Sequence, residues 1–302
     1  MLHRHLLLVG FAAGATLLAA ASAVAHSGGP NNGLAAQPGN FANCTQCHST
    51  NAVNSGNGSF SLSGAPAFYT PGQTYNLTVT IQDPGQSRWG FELVALRSND
   101  SNAGTLASTG ATVQTSTDGL GRIFAKHTSA GTFSGTAGGP VSWNVDWTAP
   151  TVGAGTVSFY AAGNAANNNF SNSGDFIYTA ATASAEDNSG VAVTMVVQPD
   201  DPTPNRGGSL AVRARVRNHQ NVSDNLVVVS RLRLATGGFY PTTGWLLAPA
   251  SITVLPAGQS TVNLVNAVPA AAPLLTATYE ALVGRLPSTL LSVDTFTVQV
   301  QP

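Results

Sequence analysis

Short runs with a two-residue period of apolar and polar positions fill the middle of the chain. Residues 75–81 open the series: Tyr75, Leu77, Val79 and Ile81 share one face, and asparagine and threonine occupy the positions between them. Because alternate residues of a strand point to opposite faces, this pattern predicts a strand that buries one face. Similar runs follow at residues 89–96, 122–127, 143–147 and 157–161.

Turn-forming residues separate these runs, and a helical period of 3.6 residues is absent from them. The turn sequences are Pro71-Gly72, Asp83-Pro84-Gly85, Asp118-Gly119, Ala149-Pro150 and the segment 163–169. Short strands bounded by such turns are typical of antiparallel sandwiches. We therefore predict one all-β sandwich domain over residues 66–186, with Trp143 and Trp147 in its core.

A second series of alternating runs follows the polar segment 186–190. Six strands are predicted, at residues 191–197, 210–216, 226–234, 251–255, 276–283 and 295–300. About seven strands in roughly 110 residues are typical of an immunoglobulin-like sandwich. The fold class is therefore all-β, with two antiparallel β-sandwich domains, and the second, Ig-like domain is predicted over residues 191–302.

The first residues resemble an export signal. Arg4 precedes an apolar run from Leu6 to Leu18, and Ala23-Val24-Ala25 matches the small-residue cleavage site of a secretory signal peptide. We predict a signal over residues 1–25 and His26 as the first mature residue. Because no later run approaches the roughly 20 apolar residues of a membrane helix, the protein is expected not to span a membrane and to be periplasmic or extracellular.

The composition excludes some classes of function. Charged residues make up 8% of the chain and the formal net charge is −1, so the basic surface that nucleic-acid binding needs is absent. Hydrophobic residues make up 43%, which is enough for packed cores and argues against disorder.

Both cysteines of the chain lie in one pentapeptide, Cys44-Thr45-Gln46-Cys47-His48. Two thiols three positions apart with a histidine directly after them form the attachment signature of a c-type haem. The thiols bind the two vinyl groups of the porphyrin, and the histidine becomes the proximal iron ligand. A local disulfide and half of a zinc site compete with this interpretation, but zinc needs four ligands and no second Cys/His pair completes such a site. We predict one covalent haem c, carried by a leader over residues 26–65.

The sixth ligand of the iron has four candidates in the sequence: His26, His127, His219 and Met195. His127 is preferred, because its predicted strand also carries Arg122 and Lys126, and cations near a haem usually bind its propionates. Strict alternation places His127 on the face opposite the two cations unless the strand ends there. His26 is the main rival, since a mature terminus can fold back onto the iron.

Several segments resemble bacterial secreted domains of the reeler (reelin N-terminal-like) family. The resemblance spans about residues 26–185, and its most specific part is Tyr160-Ala161-Ala162-Gly163-Asn164; it also includes segments 69–75, 90–93, 126–128, 147–150 and 174–178. The resemblance implies a reeler-like fold and a secreted or cell-surface setting. It also implies a histidine at the position of His127.

Catalytic groupings are sparse in the sequence. Asp175 has no histidine in sequence register, and there is no Gly-x-Ser-x-Gly elbow, zinc-binding histidine pair or phosphate loop. The expected function is therefore that of an exported monohaem cytochrome that transfers electrons to an unidentified redox partner protein. The alternative is a secreted interaction or adhesion protein that binds a surface ligand and in which the haem is structural or sensory.

Arginines alternate with apolar residues in the second domain. Arg213, Arg215 and Arg217 belong to one predicted strand, and Arg231 and Arg233 to a later one. We expect all five on one exposed sheet face, neutralised either by Asp224, Glu280 and salt or by an anionic partner. 

Overall fold

The structure is a computed structural model that describes residues 26–39, 41–187 and 190–302. The predicted signal, residues 1–25, lies outside the described residues. The fold is all-β, as predicted, with only two short 3-10 turns, Cys44–Gln46 and Ala130–Thr132, among the described residues. None of the helices in this part of the chain is long and apolar enough to cross a membrane.

The first sandwich contains ten strands within the described residues. They are β1 (Ser59–Ser63), β2 (Phe68–Tyr69), β3 (Thr74–Gln82), β4 (Arg88–Arg97), β5 (Thr105–Ser108), β6 (Val113–Thr117), β7 (Ile123–His127), β8 (Val141–Thr148), β9 (Val157–Ala166) and β10 (Phe176–Glu186). One sheet has the order β1-β3-β8-β5 and the other β2-β10-β9-β4-β7-β6. All pairs are antiparallel except the short β2, which runs parallel to β10.

The alternating residues of the sequence build the core between these two sheets. Leu77, Val79 and Ile81 of β3 pack with Trp143 and Trp147 of β8 against the inner faces of β4 and β9. Both tryptophans are buried, and each indole nitrogen donates to a backbone oxygen, that of Gly131 for Trp143 and that of Ala103 for Trp147. The polar indole edge is thus satisfied inside an apolar core.

The second sandwich follows the same principle. Its strands are β11 (Val193–Pro199), β12 (Ser209–Asn218), β13 (Asp224–Leu234), β14 (Phe239–Tyr240), β15 (Ala250–Val254), β16 (Gln259–Ala267), β17 (Thr276–Arg285) and β18 (Thr289–Gln299). One sheet has the order β11-β12-β16, and the other has β14-β13-β17-β18 with β15 paired to β13. Residues of both sheets, such as Val212 and Tyr279, share one buried core.

The two sandwiches contact each other along β10. Val196 of β11 is buried against Phe68 and the alanines of β10. Arg215 donates to the backbone oxygen of Ala183 at 3.2 Å, and Arg217 lies over the Phe68 ring at 5.7 Å. Apolar burial and hydrogen bonds therefore both connect the sandwiches.

Two expectations differ from the structure. The first strand of the first sandwich, β1, lies inside the predicted leader and pairs with β3, so the sandwich begins before residue 66. The five arginines do not share one face, because Arg213, Arg215 and Arg217 belong to the β11-β12-β16 sheet, whereas Arg231 and Arg233 belong to the opposite sheet. The latter two both form ion pairs with Glu280. 

Candidate functional site

The cysteine-containing pentapeptide forms a tight turn that rests on the outer face of the β10-β9-β4 sheet. Asn43 caps the 3-10 turn Cys44–Gln46 by accepting from the Thr45 backbone N–H at 2.9 Å. The backbone N–H groups of Cys47 and His48 both donate to the Cys44 oxygen, at 3.2 and 3.0 Å. One turn of chain therefore fixes the two thiols and the imidazole relative to one another.

Both cysteines are free thiols. Cys44 is buried against Ala162 of β9 and Ile177 of β10. Burial, with a smaller contribution from the charge of Glu92, raises the pKa of the Cys44 thiol to about 12, so this group stays protonated at neutral pH. 

His48 is held by a buried carboxylate. Its Nδ1 atom lies 2.5 Å from Oδ2 of Asp175, whose side chain is 1% exposed. Asp175 in turn accepts from the Asn167 backbone N–H through Oδ1, at 3.2 Å. The Asn164 amide nitrogen lies 3.3 Å from the other ring nitrogen, Nε2. With the proton on Nδ1 shared with Asp175, Nε2 presents its lone pair, which is the arrangement that orients a metal-binding histidine.

His127 is the last residue of β7, and its side chain takes the place of a backbone group in the hydrogen bonding between β7 and β4. The last backbone pair between β4 and β7 is Glu92 with Lys126. One residue further, the Phe91 N–H donates to the imidazole Nδ1 at 3.1 Å, and the Phe91 oxygen lies 3.3 Å from the same atom. The ring therefore departs from the simple alternation of faces because the strand ends at this residue.

The position of the His127 ring requires glycine at position 90. A Cβ atom on Gly90 would lie 2.7 Å from Cε1 of His127 and 3.3 Å from Nε2, closer than side chains tolerate. Burial is the main cause that lowers the pKa of His127 to about 4. The imidazole is therefore neutral at pH 7 and able to bind a metal through a lone pair.

The two imidazoles lie over neighbouring positions of one sheet face. Gly90 and Asn164 are direct partners in the β4–β9 pair; His127 packs on the first and His48 contacts the second. Paired positions in antiparallel strands are about 5 Å apart. The rings of His48 and His127, with both thiols, line one cavity of about 270 Å³.

The two predicted propionate partners have other contacts. Arg122 donates from Nε to Asp118 Oδ2 at 2.7 Å and lines a separate depression beside Asn32. Lys126 donates from Nζ to the Pro30 oxygen at 2.7 Å and to Asn32 at 2.8 Å. Lys126 thus holds the N-terminal segment on the sheet, and neither cation belongs to the described lining of the cavity.

The remaining candidate ligands are distributed over both sandwiches. His26 is exposed but lines the cavity. Met195 is 1% exposed within the core of the second sandwich. His219 contacts Thr194 at 2.9 Å and lies 3.6 Å from an Asp187 oxygen. The structure therefore brings His26 and His127, and not the other two, to the cysteines.

Sequence reasoning missed two members of the site. Asp175 and Asn164 occur in the motifs that carry the family resemblance, but only the pairing of β9 with β10 brings them to His48. Arg88 also lines the cavity.

The residues of the cavity fit a haem c. The two thiols are unpaired and close in the chain, and the imidazole of His48 presents Nε2. The Asn164 Oδ1 atom is buried without a hydrogen-bond partner, and such an orphaned polar atom indicates a ligand or water absent from the protein's own contacts. 

Comparisons with known proteins add limited information. No family model and no curated protein matches the chain. Among solved structures, the reeler domain of human F-spondin is similar at 23% identity over 45% of this chain and 95% of that domain, with a TM-score of 0.31. The Reelin-N domain of F-spondin is similar at 22% identity over 48% of this chain and 97% of that domain, with a TM-score of 0.32. Membership of the reeler family stays a prediction.

Proposed function

We propose that this protein is an exported monohaem cytochrome of the c type that transfers electrons in the periplasm or at the cell surface. One observation carries the proposal: the pentapeptide residues Cys44, Cys47 and His48 line one cavity together with His127, which comes from a distant part of the chain. Two thiols and two imidazoles are the groups that covalent attachment and bis-histidine ligation require.

Each group of the cavity has a definable role in this proposal. The thiols of Cys44 and Cys47 would hold the haem covalently through thioethers. The imidazoles of His48 and His127 would bind its iron. The bound haem would supply one-electron redox chemistry.

The protein around the site would restrict that chemistry to electron transfer. Asp175 holds the proton on Nδ1 of His48 and keeps the ring orientation fixed. If the imidazole of His127 also binds the iron, the metal would have no open position for a substrate. Both the N–H and the carbonyl oxygen of Phe91 lie near Nδ1 of His127. When the ring carries its proton on Nδ1, that proton is donated to the Phe91 oxygen and Nε2 has a free lone pair.

Intact mass tests the attachment. The chain should be expressed with cytochrome c maturation machinery and its mature mass compared with that of the Cys44→Ser/Cys47→Ser variant. The parent is expected to exceed its processed polypeptide by roughly 600 Da, one haem, and the double variant to lack this mass and the pigment. A parent at the bare polypeptide mass would overturn the proposal.

A second function is favoured by one detail of His127. The Phe91 N–H lies closer to Nδ1 than the Phe91 oxygen does, 3.1 against 3.3 Å, which favours the tautomer with the proton on Nε2. In that tautomer Nε2 would donate its proton to a small molecule at the iron instead of binding the iron itself. A high-spin spectrum with ready carbon monoxide binding would favour this sensory or structural role within a secreted interaction protein.

A further inference from the structure

A cation that has no acidic partner among the described residues lines the cavity. Arg88 begins β4, two residues before Gly90, and its partly buried side chain lines the cavity. The guanidinium donates to Ser27 Oγ at 2.7 Å and lies 3.4 Å from the Asn168 side-chain oxygen. Both partners are neutral.

Among the described residues that line the cavity, Asp175 is the one carboxylate, and it binds His48. Among the described residues, Arg88 has no ion-pair partner, whereas Arg122 is paired with Asp118. A guanidinium that is partly removed from water is stabilised by an anion, and its planar fork matches a carboxylate. 

The loop after β9 contacts Arg88, and two of its residues have unusual backbone conformations. Phe170 is 88% exposed and has φ of +61°, and its ring lies 5.6 Å from the Arg88 guanidinium carbon. Asn168 also has positive φ, +60°. Left-handed backbone at a bulky residue costs about 1–2 kcal/mol, so the loop stores strain to keep Phe170 and Asn168 beside Arg88. Strain of this kind concentrates at binding sites.

We infer that Arg88 binds a carboxylate of the group that occupies the cavity, with Ser27 and Asn168 fixing the guanidinium. The inference rests on the proposed haem function, in which that carboxylate is a propionate. It assigns to Arg88 the role that the sequence predicts for Arg122 and Lys126.

The first test separates carboxylate recognition from covalent attachment. The full mature chain carrying Cys44→Ala/Cys47→Ala is titrated with ferric protoporphyrin IX and with its dimethyl ester, and binding is read from the Soret band. Because a charge-assisted hydrogen bond contributes about 1.5–3 kcal/mol, the free acid is expected to bind about tenfold or more tightly than the ester. Adding Arg88→Gln should abolish this preference, and adding Arg122→Gln should leave it intact. A preference that survives Arg88→Gln overturns the inference.

The second test uses the haem-loaded chain. The inference about Arg88 can therefore be tested even if the porphyrin titration fails. Loss of a cation beside the haem favours the oxidised iron, so Arg88→Gln should lower the midpoint potential relative to the parent. Arg88→Lys should restore most of the shift, and Arg122→Gln should cause none. Equal potentials for Arg88→Gln and the parent overturn the inference but leave the haem function standing. A parent chain without covalent haem overturns both.

Discussion

The Nδ1 atom of His48 lies 2.5 Å from a carboxylate oxygen of Asp175, although the two residues are 127 positions apart in the chain. The leader brings the histidine to the outer sheet face, and the residue directly before β10 brings the carboxylate. This contact fixes the orientation of the ring that the haem signature makes the proximal ligand. It therefore connects the attachment motif to the sandwich behind it.

Asp175→Asn tests that connection. The amide keeps the shape of the side chain but removes the negative charge that orients His48, so the bond between His48 and iron is expected to weaken. Loss of such a partner typically costs 10–100-fold in metal affinity or activity, roughly 1.4–2.7 kcal/mol. Haem should stay attached through its thioethers, with a higher midpoint potential and a partly high-spin spectrum at neutral pH.

Asp200→Asn is the matched control, because Asp200 is exposed and its carboxylate lies 3.5 Å from the half-buried Arg213. It should leave spectrum and potential unchanged. An Asp175→Asn protein with the parent's potential would mean that the carboxylate does not act on the iron ligand.

Gly90→Ala should displace the His127 ring. A Cβ atom at this position would lie 2.7 to 3.3 Å from three atoms of the imidazole, and overpacking of this kind costs typically 1–3 kcal/mol. The expected result is a lower midpoint of urea unfolding and a shift of the loaded protein toward high spin. Gly119→Ala is the control, since a Cβ there meets nothing within 4 Å. An unaltered spectrum in Gly90→Ala would exclude His127 from the iron.

Much of the fold could be predicted from the sequence, and most of the strands that were missed lie at sheet edges. These are β1, β2, β5, β6, β14 and β16; the exception is β10, which lies between β2 and β9. Several of the edge strands are only two to four residues long, so their two-residue period is weak. Central strands such as β3 and β8 bury one face completely and carry a clear alternation.

The site could be predicted only where its residues are neighbours in sequence. Cys44, Cys47 and His48 follow from spacing alone, whereas the contact of His48 with Asp175 depends on pairing between distant strands. The partners of Lys126, Pro30 and Asn32, were unpredictable because they too are distant in the sequence. The assignment of five arginines to one face was wrong, because alternation identifies a face of a strand but not the sheet to which the strand belongs.

Glu92 is expected to make folding stability fall as the pH rises. The side chain is buried, and this burial raises the pKa of its carboxyl from 4.5 to about 8 against the lowering effects of the Leu34 and Gly33 N–H groups, Lys126 and Arg122. The folded chain thus holds the proton more tightly than the unfolded chain. Between pH 4.5 and about 8, its contribution to stability declines by at most roughly 1.4 kcal/mol per pH unit.

Urea unfolding of the parent and Glu92→Gln at pH 5 and pH 8 measures this effect. The neutral amide cannot ionise, so Glu92→Gln should gain stability relative to the parent at the higher pH. Other groups with shifted pKa values, such as Asp294, are present in both proteins and cancel in the difference. A difference that stays constant between the two pH values would show that Glu92 does not titrate in this window.

Val196→Asp tests whether the two sandwiches unfold together. Val196 is fully buried against Phe68, Ala183 and Ala185 at their junction, and an unpaired charge there costs several kcal/mol. The variant is expected to unfold in two steps and to be cut by proteases after β10, whereas the parent resists. Val265→Asp places the same charge on a side chain that is 59% exposed and should behave like the parent. If the parent itself is cut readily and releases two folded fragments, the junction does not couple the sandwiches.

His127→Ala decides between an electron carrier and an oxygen-reactive haem. The buried, neutral imidazole on Gly90 is well placed to fill the sixth position, and two imidazoles favour low-spin iron at a modest or negative potential. Removing the ring should produce a high-spin spectrum and carbon monoxide binding, while the intact mass still includes the haem. His26→Ala removes the competing imidazole that lines the cavity and should leave the spectrum unchanged. If His26→Ala becomes high-spin and His127→Ala does not, His26 is the sixth ligand. A parent that is already high-spin would favour the sensory role, since an open iron site binds small molecules instead of only passing electrons.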